Sequence, residues 1–174
     1  MATAPVRIYD SPDTETNNPV ADLEAARNVN YKLQANQVSK ASFDLPASNS
    51  KNDLIQGRYY AEIFDDDKRI GLFRVNRTVP ENQGEQARIS YECKHVLDTL
   101  NDKRIQTETT QTGESATVQY LIDQQNMARW QLGDVDSSFE YGHTYKFGRQ
   151  TLLSALMEVT APWWEEYDLE YDTT

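Results

Sequence analysis

From Ala87 to Lys94 the chain alternates without a break, with Ala87, Ile89, Tyr91 and Cys93 set against Arg88, Ser90, Glu92 and Lys94. Period two is the mark of a strand that turns one face to a core. At His95 the pattern changes to Val96, Leu97 and Leu100, the i, i+1, i+4 spacing of a helix face. This strand-to-helix junction closes a series of shorter runs. Val6 to Tyr9 predicts a first strand, and the Pro-, Asn-, Thr- and Asp-rich stretch from Asp10 to Pro19 predicts a loop. Val29, Tyr31 and Leu33 alternate with polar neighbours, as do Ala41, Phe43 and Leu45 ahead of Pro46, and each set predicts a strand. Asp22 to Ala26 is long enough for a helical turn only, and Pro46 to Gln56 has a turn composition.

Gly57 opens a further strand over Arg58 to Phe64, with Tyr59, Ala61 and Ile63 on one face. Asp65-Asp66-Asp67-Lys68-Arg69 forms a polar tip before a returning strand over Ile70 to Val75, which predicts a hairpin with a loop longer than two residues. Val79 to Gly84 predicts the next turn, and the run from Ala87 completes a three-strand meander. Past His95 two amphipathic segments predict helices. One starts at Ser115 as a cap and runs through Val118, Leu121 and Ile122; the other runs from Arg149 through Leu152, Leu153, Leu156 and Met157 to a stop near Pro162. Between them Trp130 to Val135 predicts a short strand and Tyr141 to Phe147 an aromatic loop. Tyr167, Leu169 and Tyr171 alternate with Asp168, Glu170 and Asp172, a strand that needs a partner and that predicts a C-terminal unit cut from something longer. The expected fold class is α+β: a small β-barrel-like meander over 1–98, then an incomplete α+β domain with two helices over 99–174.

Composition narrows the function classes. With 174 residues, 38% of them hydrophobic and 10% aromatic, the chain can bury a core, which argues against disorder despite its polar loops. A net charge of -11 argues against a binder of nucleic acid or anionic membrane, since such proteins neutralise phosphates with clustered Lys and Arg. No apolar run is long enough to span a bilayer, and Met1-Ala2-Thr3-Ala4-Pro5 lacks the basic start and apolar stretch of a secretion signal, so a soluble chain without membrane anchor is expected. Cys93 is the single cysteine, which rules out an internal disulfide and a multi-cysteine zinc site.

Candidate chemistry is sparse. Asp65, Asp66 and Asp67 invite a calcium reading, but a helical-hand loop needs alternating oxygen ligands followed by Gly, and Arg69 and Ile70 occupy those places. Cys93 with His95 or His143 suggests a nucleophile and base. Cys93, however, shares the apolar face of its strand with Ile89 and Tyr91, and His95 has the same parity, so packing is the expected role of both. Two histidines without a His-Glu-x-x-His pattern give no zinc hydrolase. Glu165, Glu166, Asp168, Glu170 and Asp172 contain pairs of the kind a glycosidase uses, yet acids at alternate strand positions describe a solvated face. No Gly-rich phosphate loop or Gly-x-Ser-x-Gly elbow is present. Expected catalytic, cofactor and metal residues are therefore none. Ten tyrosines and three tryptophans, including the adjacent pairs Tyr59-Tyr60 and Trp163-Trp164, allow two readings: one member of each pair fills the core while the other meets a partner, or both simply cover core and surface edges.

Several stretches taken together resemble the N-terminal region of phage and prophage tail-tip proteins, the baseplate-hub or tail-associated lysin family. They are Ala41-Ser42-Phe43-Asp44-Leu45-Pro46, Gly57 to Ile63, Leu72-Phe73-Arg74-Val75 and, above all, Tyr91-Glu92-Cys93-Lys94-His95-Val96-Leu97-Asp98-Thr99-Leu100. The segments around Leu121, Trp130-Gln131-Leu132-Gly133 and Leu153 follow in the family's order. The resemblance implies a homotrimeric hub in the virion tail tip, assembled in the bacterial cytoplasm and built from small β-barrel domains that continue the tail tube. Its implied partners are neighbouring tail-tube or distal tail proteins and the tape-measure protein, and its downstream domains bind receptors or hydrolyse cell wall. The expected function is structural assembly without catalysis. The rivals are a fragment of a peptidoglycan-degrading tail enzyme and a carbohydrate-binding β module that uses exposed Trp and Tyr as stacking platforms.

Overall fold

The computed structural model describes residues 4–34, 37–81, 87–125, 130–136 and 141–163. Strand β1 (Val6–Tyr9) pairs with the two-residue β2 (Ala21–Asp22) on one side and β5 (Tyr60–Asp65) on the other. Strands β3 (Arg27–Lys32) and β4 (Lys40–Pro46) form an antiparallel pair, and β6 (Lys68–Glu81) lies between β5 and β7 (Arg88–His95). The result is a seven-stranded sheet in the order β2-β1-β5-β6-β7-β4-β3. Its two edge strands, β2 and β3, are consecutive in the chain.

That adjacency sets the shape of the sheet. Six strand spacings of a flat sheet would separate its edges by about 29 Å. The link from Asp22 to Arg27 through Leu23, Glu24, Ala25 and Ala26 can reach no more than about 18 Å even when fully extended. It is shorter than that, because the Ala26 N–H turns back onto the Leu23 carbonyl at 3.1 Å. The sheet therefore curls, and the Tyr31 hydroxyl on edge strand β3 donates to Asp65 at the end of β5 at 2.7 Å. Among the described residues no ladder closes the curl, so the meander is barrel-like and open.

The concave face holds the core. Val6, Ile8, Leu23, Phe43, Leu45, Ala61, Ile63, Phe73, Val75, Tyr91 and Cys93 form one buried cluster, with Phe43 and Tyr91 stacked 4.9 Å apart on neighbouring strands. Alternation on β7 matches it: Tyr91, Cys93 and His95 are buried, Glu92 and Lys94 exposed. The chain then winds into a 3-10 helix over Val96–Asp102 rather than an α-helix, and Val96, Leu97 and Leu100 are all buried.

Several expected elements take a different form. The hairpin tip between β5 and β6 is only two residues, because Asp65 pairs with Lys68 and Asp66 adopts a left-handed φ of 53° that an aspartate tolerates. Strand β6 does not turn at Val79 but continues to Glu81, with Pro80 opposite Ile89. β5 pairs with β6 as far as Arg74, with backbone bonds from Val75 to Arg58 and Tyr59, and over residues 79–81 the ladder of β6 is to β7 alone, an edge-like setting in which proline is tolerated. Residues 82–84 of the expected turn lie outside the described residues. β3 is a strand whose alternation marks a face only partly covered: Val29 packs against the core, while Tyr31 and Leu33 are exposed at the sheet edge, where Asn28 has φ 50° and the register breaks between Arg27 and Asn30. Asp22 belongs to a strand and not to a helical turn. Within Pro46 to Gln56 a 3-10 helix over Ser50–Leu54 forms, capped by the Asn49 side chain on the Lys51 N–H at 2.9 Å.

Clustering of contacts divides the chain into two compact units, with the boundary between Val96 and Leu97. The second contains a two-stranded sheet of β8 (Thr109–Thr112) and β9 (Thr144–Phe147), with helices α1 (Glu114–Asp123) and α2 (Leu152–Thr160). β8 escapes a hydrophobic reading because it is threonine and glutamine, held to β9 by its ladder and by Thr112 against Thr144 at 3.2 Å. β9 replaces the aromatic loop expected there. Trp130 to Val135 is irregular instead of a strand, since the Gln125 side chain takes both the N–H and the carbonyl of Trp130, at 2.9 and 2.6 Å. α2 matches its pattern, with Thr151 as cap on the Ser154 N–H and Leu152, Leu153, Ala155, Leu156 and Val159 buried. The strand expected over 167–171 lies outside the described residues, as do Trp164 and the acids at 165–172. The fold is α+β, as its patterning predicts.

Leu23, fully buried in the link between the sheet edges, tests the curl. Leu23→Ala is expected to cost about 2–5 kcal/mol in urea denaturation, whereas Leu33→Ala at the exposed edge should stay within about 0.5 kcal/mol of the parent.

Candidate functional site

Helix α1 does not start at Ser115. Gly113, with φ 85°, ends β8 and turns the chain into the helix, and its N–H bonds the His143 carbonyl at 2.9 Å. The first helical residue is therefore Glu114, whose side chain has no solvent exposure. Its Oε2 accepts from the backbone N–H groups of Tyr141 and Gly142 at 2.9 and 3.0 Å. Oε1 accepts from the His143 N–H at 3.2 Å, from the Tyr145 hydroxyl at 3.1 Å and from His143 Nδ1 at 3.0 Å. Gly142, at φ 70°, lets three successive N–H groups converge on one carboxylate, a backbone nest filled by a side chain of the same unit. Since an ionised carboxylate only accepts, Nδ1 of His143 carries the proton. Burial pushes the Glu114 carboxyl up, but the N–H groups of Gly142, Glu114 and His143 and the Tyr145 hydroxyl outweigh it and hold it below its ordinary value.

A carboxylate oriented on an imidazole is also the base-and-orienter half of a hydrolytic triad. Here both oxygens are occupied by the loop they organise, and what the arrangement does is fasten 141–145 to the start of α1. The one thiol belongs to the first unit: Cys93 is buried on the core face of β7, and desolvation, helped by Glu92, pushes it up to about 12. His95 lies two residues on and meets Phe73 edge-on at 5.5 Å. The Cys93 and His95 pairing thus resolves into packing, as its parity predicts. Asp66 and Asp67 form the exposed hairpin tip, and the exposed Asp65 beside them, at the end of β5, is engaged by Tyr31. Among the described residues no group of three or more His, Cys, Asp or Glu is placed to hold a metal ion, and no helix is long and apolar enough to cross a membrane. Tyr59 packs against the core while Tyr60 is buried, so this pair leaves no exposed aromatic platform.

Among the described residues four carboxylates are buried, Asp44, Glu62, Asp98 and Glu114, and the sequence marks none of them as such; two show why. Glu114 sits at a position that patterning assigns to the segment before a cap, and three of its five donors are backbone groups without side-chain identity. Glu62, on the face of β5 opposite the core, is buried between the Tyr9 hydroxyl at 3.1 Å and Arg69 Nε at 2.7 Å. Only its place inside an otherwise apolar strand hints at it.

The chain is similar in fold to a prophage tail protein. That protein is gp18 of Listeria monocytogenes EGD-e, whose crystal structure superposes with a TM-score of 0.65 at 12% sequence identity. The match covers 89% of this chain and 44% of that one, so this chain spans less than half of the length of its structural neighbour. No protein-family model matches the chain, and no curated protein matches it in sequence.

The Glu114 nest generates a signed pH dependence. A carboxyl held low stabilises the fold above its ordinary value near 4.5, and that contribution disappears as pH falls through the lower, folded value. An NMR titration of the Glu114 side-chain carbon is expected to show a midpoint under 4.5; a midpoint at or over it contradicts the nest. Glu114→Ala should lower the stability of the second unit by about 1–3 kcal/mol by leaving buried donors without an acceptor. For Cys93, labelling of the native protein by a thiol reagent at pH 8 should run far slower than in urea. Equal rates would show the thiol accessible.

Proposed function

We propose that the chain is a structural assembly module of a phage-type tail, the N-terminal hub segment of a tail-tip or baseplate protein, which acts by shape and oligomerisation and not by catalysis. The single observation that supports it most is the fold similarity to a prophage tail protein over 89% of the chain. The motif resemblance around His95 points the same way, independently of the fold comparison. In this reading the open, curled sheet is the tube-like element, three copies form a ring that continues the tail tube, and domains beyond this segment carry receptor binding or wall hydrolysis. Neighbouring tail proteins and the tape-measure protein are its partners, and the virion tail tip is its location. The net charge of -11 suits a wall around a passage for DNA, because it repels phosphates.

Solution mass and particle shape test this reading. A ring of three copies by light scattering and negative-stain imaging is the expected result. A chain that stays monomeric at high concentration counts against it. Reproducible cleavage of purified peptidoglycan, abolished by substitution of Glu or His residues, would move the chain to the lytic class, and tryptophan quenching by wall glycans would favour the carbohydrate-binding class.

A further inference from the structure

The two neighbours of β4 hold it unequally. β4 lies against β7 in seven consecutive pairs, from Lys40 opposite Lys94 to Pro46 opposite Arg88. Its pairing with β3 on the other side is interrupted: Arg27 stands opposite Asp44, the register then breaks, and only Asn30, Tyr31 and Lys32 continue it. Asn28, inside the break, has φ 50° and donates its side-chain amide to Asp44 at 2.7 Å. Every residue of β3 is exposed except Val29, which is half-buried and packs against the core. Lifting β3 off β4 therefore uncovers little apolar surface, and the surface uncovered sets much of the cost of opening an element. One end of the strand is anchored, because the link that precedes it carries the fully buried Leu23. Toward the other end the Tyr31 hydroxyl donates to Asp65 Oδ2 at 2.7 Å. Among the described residues this is the one side-chain hydrogen bond that joins β3 to a strand other than β4.

We propose that β3 is a strap that opens on its own, ahead of the rest of the first unit, with the Tyr31 to Asp65 bond as its latch. A hydroxyl donating to a carboxylate is about twice as strong as a neutral hydrogen bond. It ties the strap to β5, which is paired on both sides, with β1 and with β6. Both partners are exposed, so water competes with the bond and its weight in the opening equilibrium is about tenfold. Opening leaves β4 paired with β7 alone and bares its other edge along seven residues, the stretch that carries Ala41, Phe43 and Leu45 into the core. An unpaired strand edge is a template for further pairing. The latch thus governs when that template exists. The proposal concerns the first unit by itself and does not rest on a role in a tail.

Native-state hydrogen exchange on the full chain, read amide by amide by NMR over a series of low urea concentrations, tests the strap. Amides bonded across the β3 and β4 ladder are expected to exchange at least about a hundredfold faster than those between β5 and β6, and with little dependence on urea, since the opening uncovers little surface. Tyr31→Phe removes only a hydroxyl from an exposed side chain and should speed the β3 and β4 amides about tenfold. Asp65→Ala should do the same, and the double variant should go no further than either single one, because the two groups form one bond. If the β3 and β4 amides share the urea dependence of the β5 and β6 set, β3 leaves only when the whole unit unfolds and the strap is overturned. Exchange across β3 and β4 that stays within about twofold of the parent in Tyr31→Phe, or effects of the two substitutions that add, would overturn the latch.

Discussion

A four-residue link decides the form of the first unit. Because β2 and β3 are neighbours in the chain but opposite edges of a seven-stranded sheet, the backbone cannot satisfy both positions unless the sheet bends on itself. The bend makes one face concave, and only then can residues as distant in sequence as Val6, Leu23, Phe43 and Tyr91 share one core. Tyr31 bound to Asp65 and Lys51 bound to Glu24 and to the Asp22 carbonyl pin the ends of that bend. In a sheet of this kind hydrophobic burial supplies the energy and connectivity supplies the curvature.

Strands that contribute two or three core residues in alternation were legible from the chain: β1, β4, β7 and the first half of β6 stand where period two places them. α2 was legible for the same reason, since its apolar face and Thr151 cap are local signals. Elements held by backbone pairing or polar side chains were not. β8 has no apolar alternation, β9 hides within an aromatic stretch, and the irregular path at Trp130 depends on an amide five residues earlier. β3 was legible as a strand, but its alternation overstates burial, because at the sheet edge only Val29 packs against the core while Tyr31 and Leu33 stay exposed.

The candidate sites divide along the same line. Cys93 and His95 could be assigned to packing by parity alone, because facing direction on a strand is a sequence property. The Glu114 nest could not. It depends on the path of the loop ahead of β9, a property of tertiary pairing that no local pattern encodes.

Three of the five donors in the nest at Glu114 are main-chain N–H groups, and every residue except proline supplies one. Mutational drift at Tyr141 can therefore exchange its side chain without removing its N–H from the clamp, provided that the turn at Gly142 survives. A loop fixed in this way stores its geometry in one acid, one glycine and the two side chains His143 and Tyr145, and gives the side chain of Tyr141 no role in the clamp. Such economy is one physical route by which a fold outlasts its sequence, as in two proteins that superpose along most of a chain while sharing 12% of their residues.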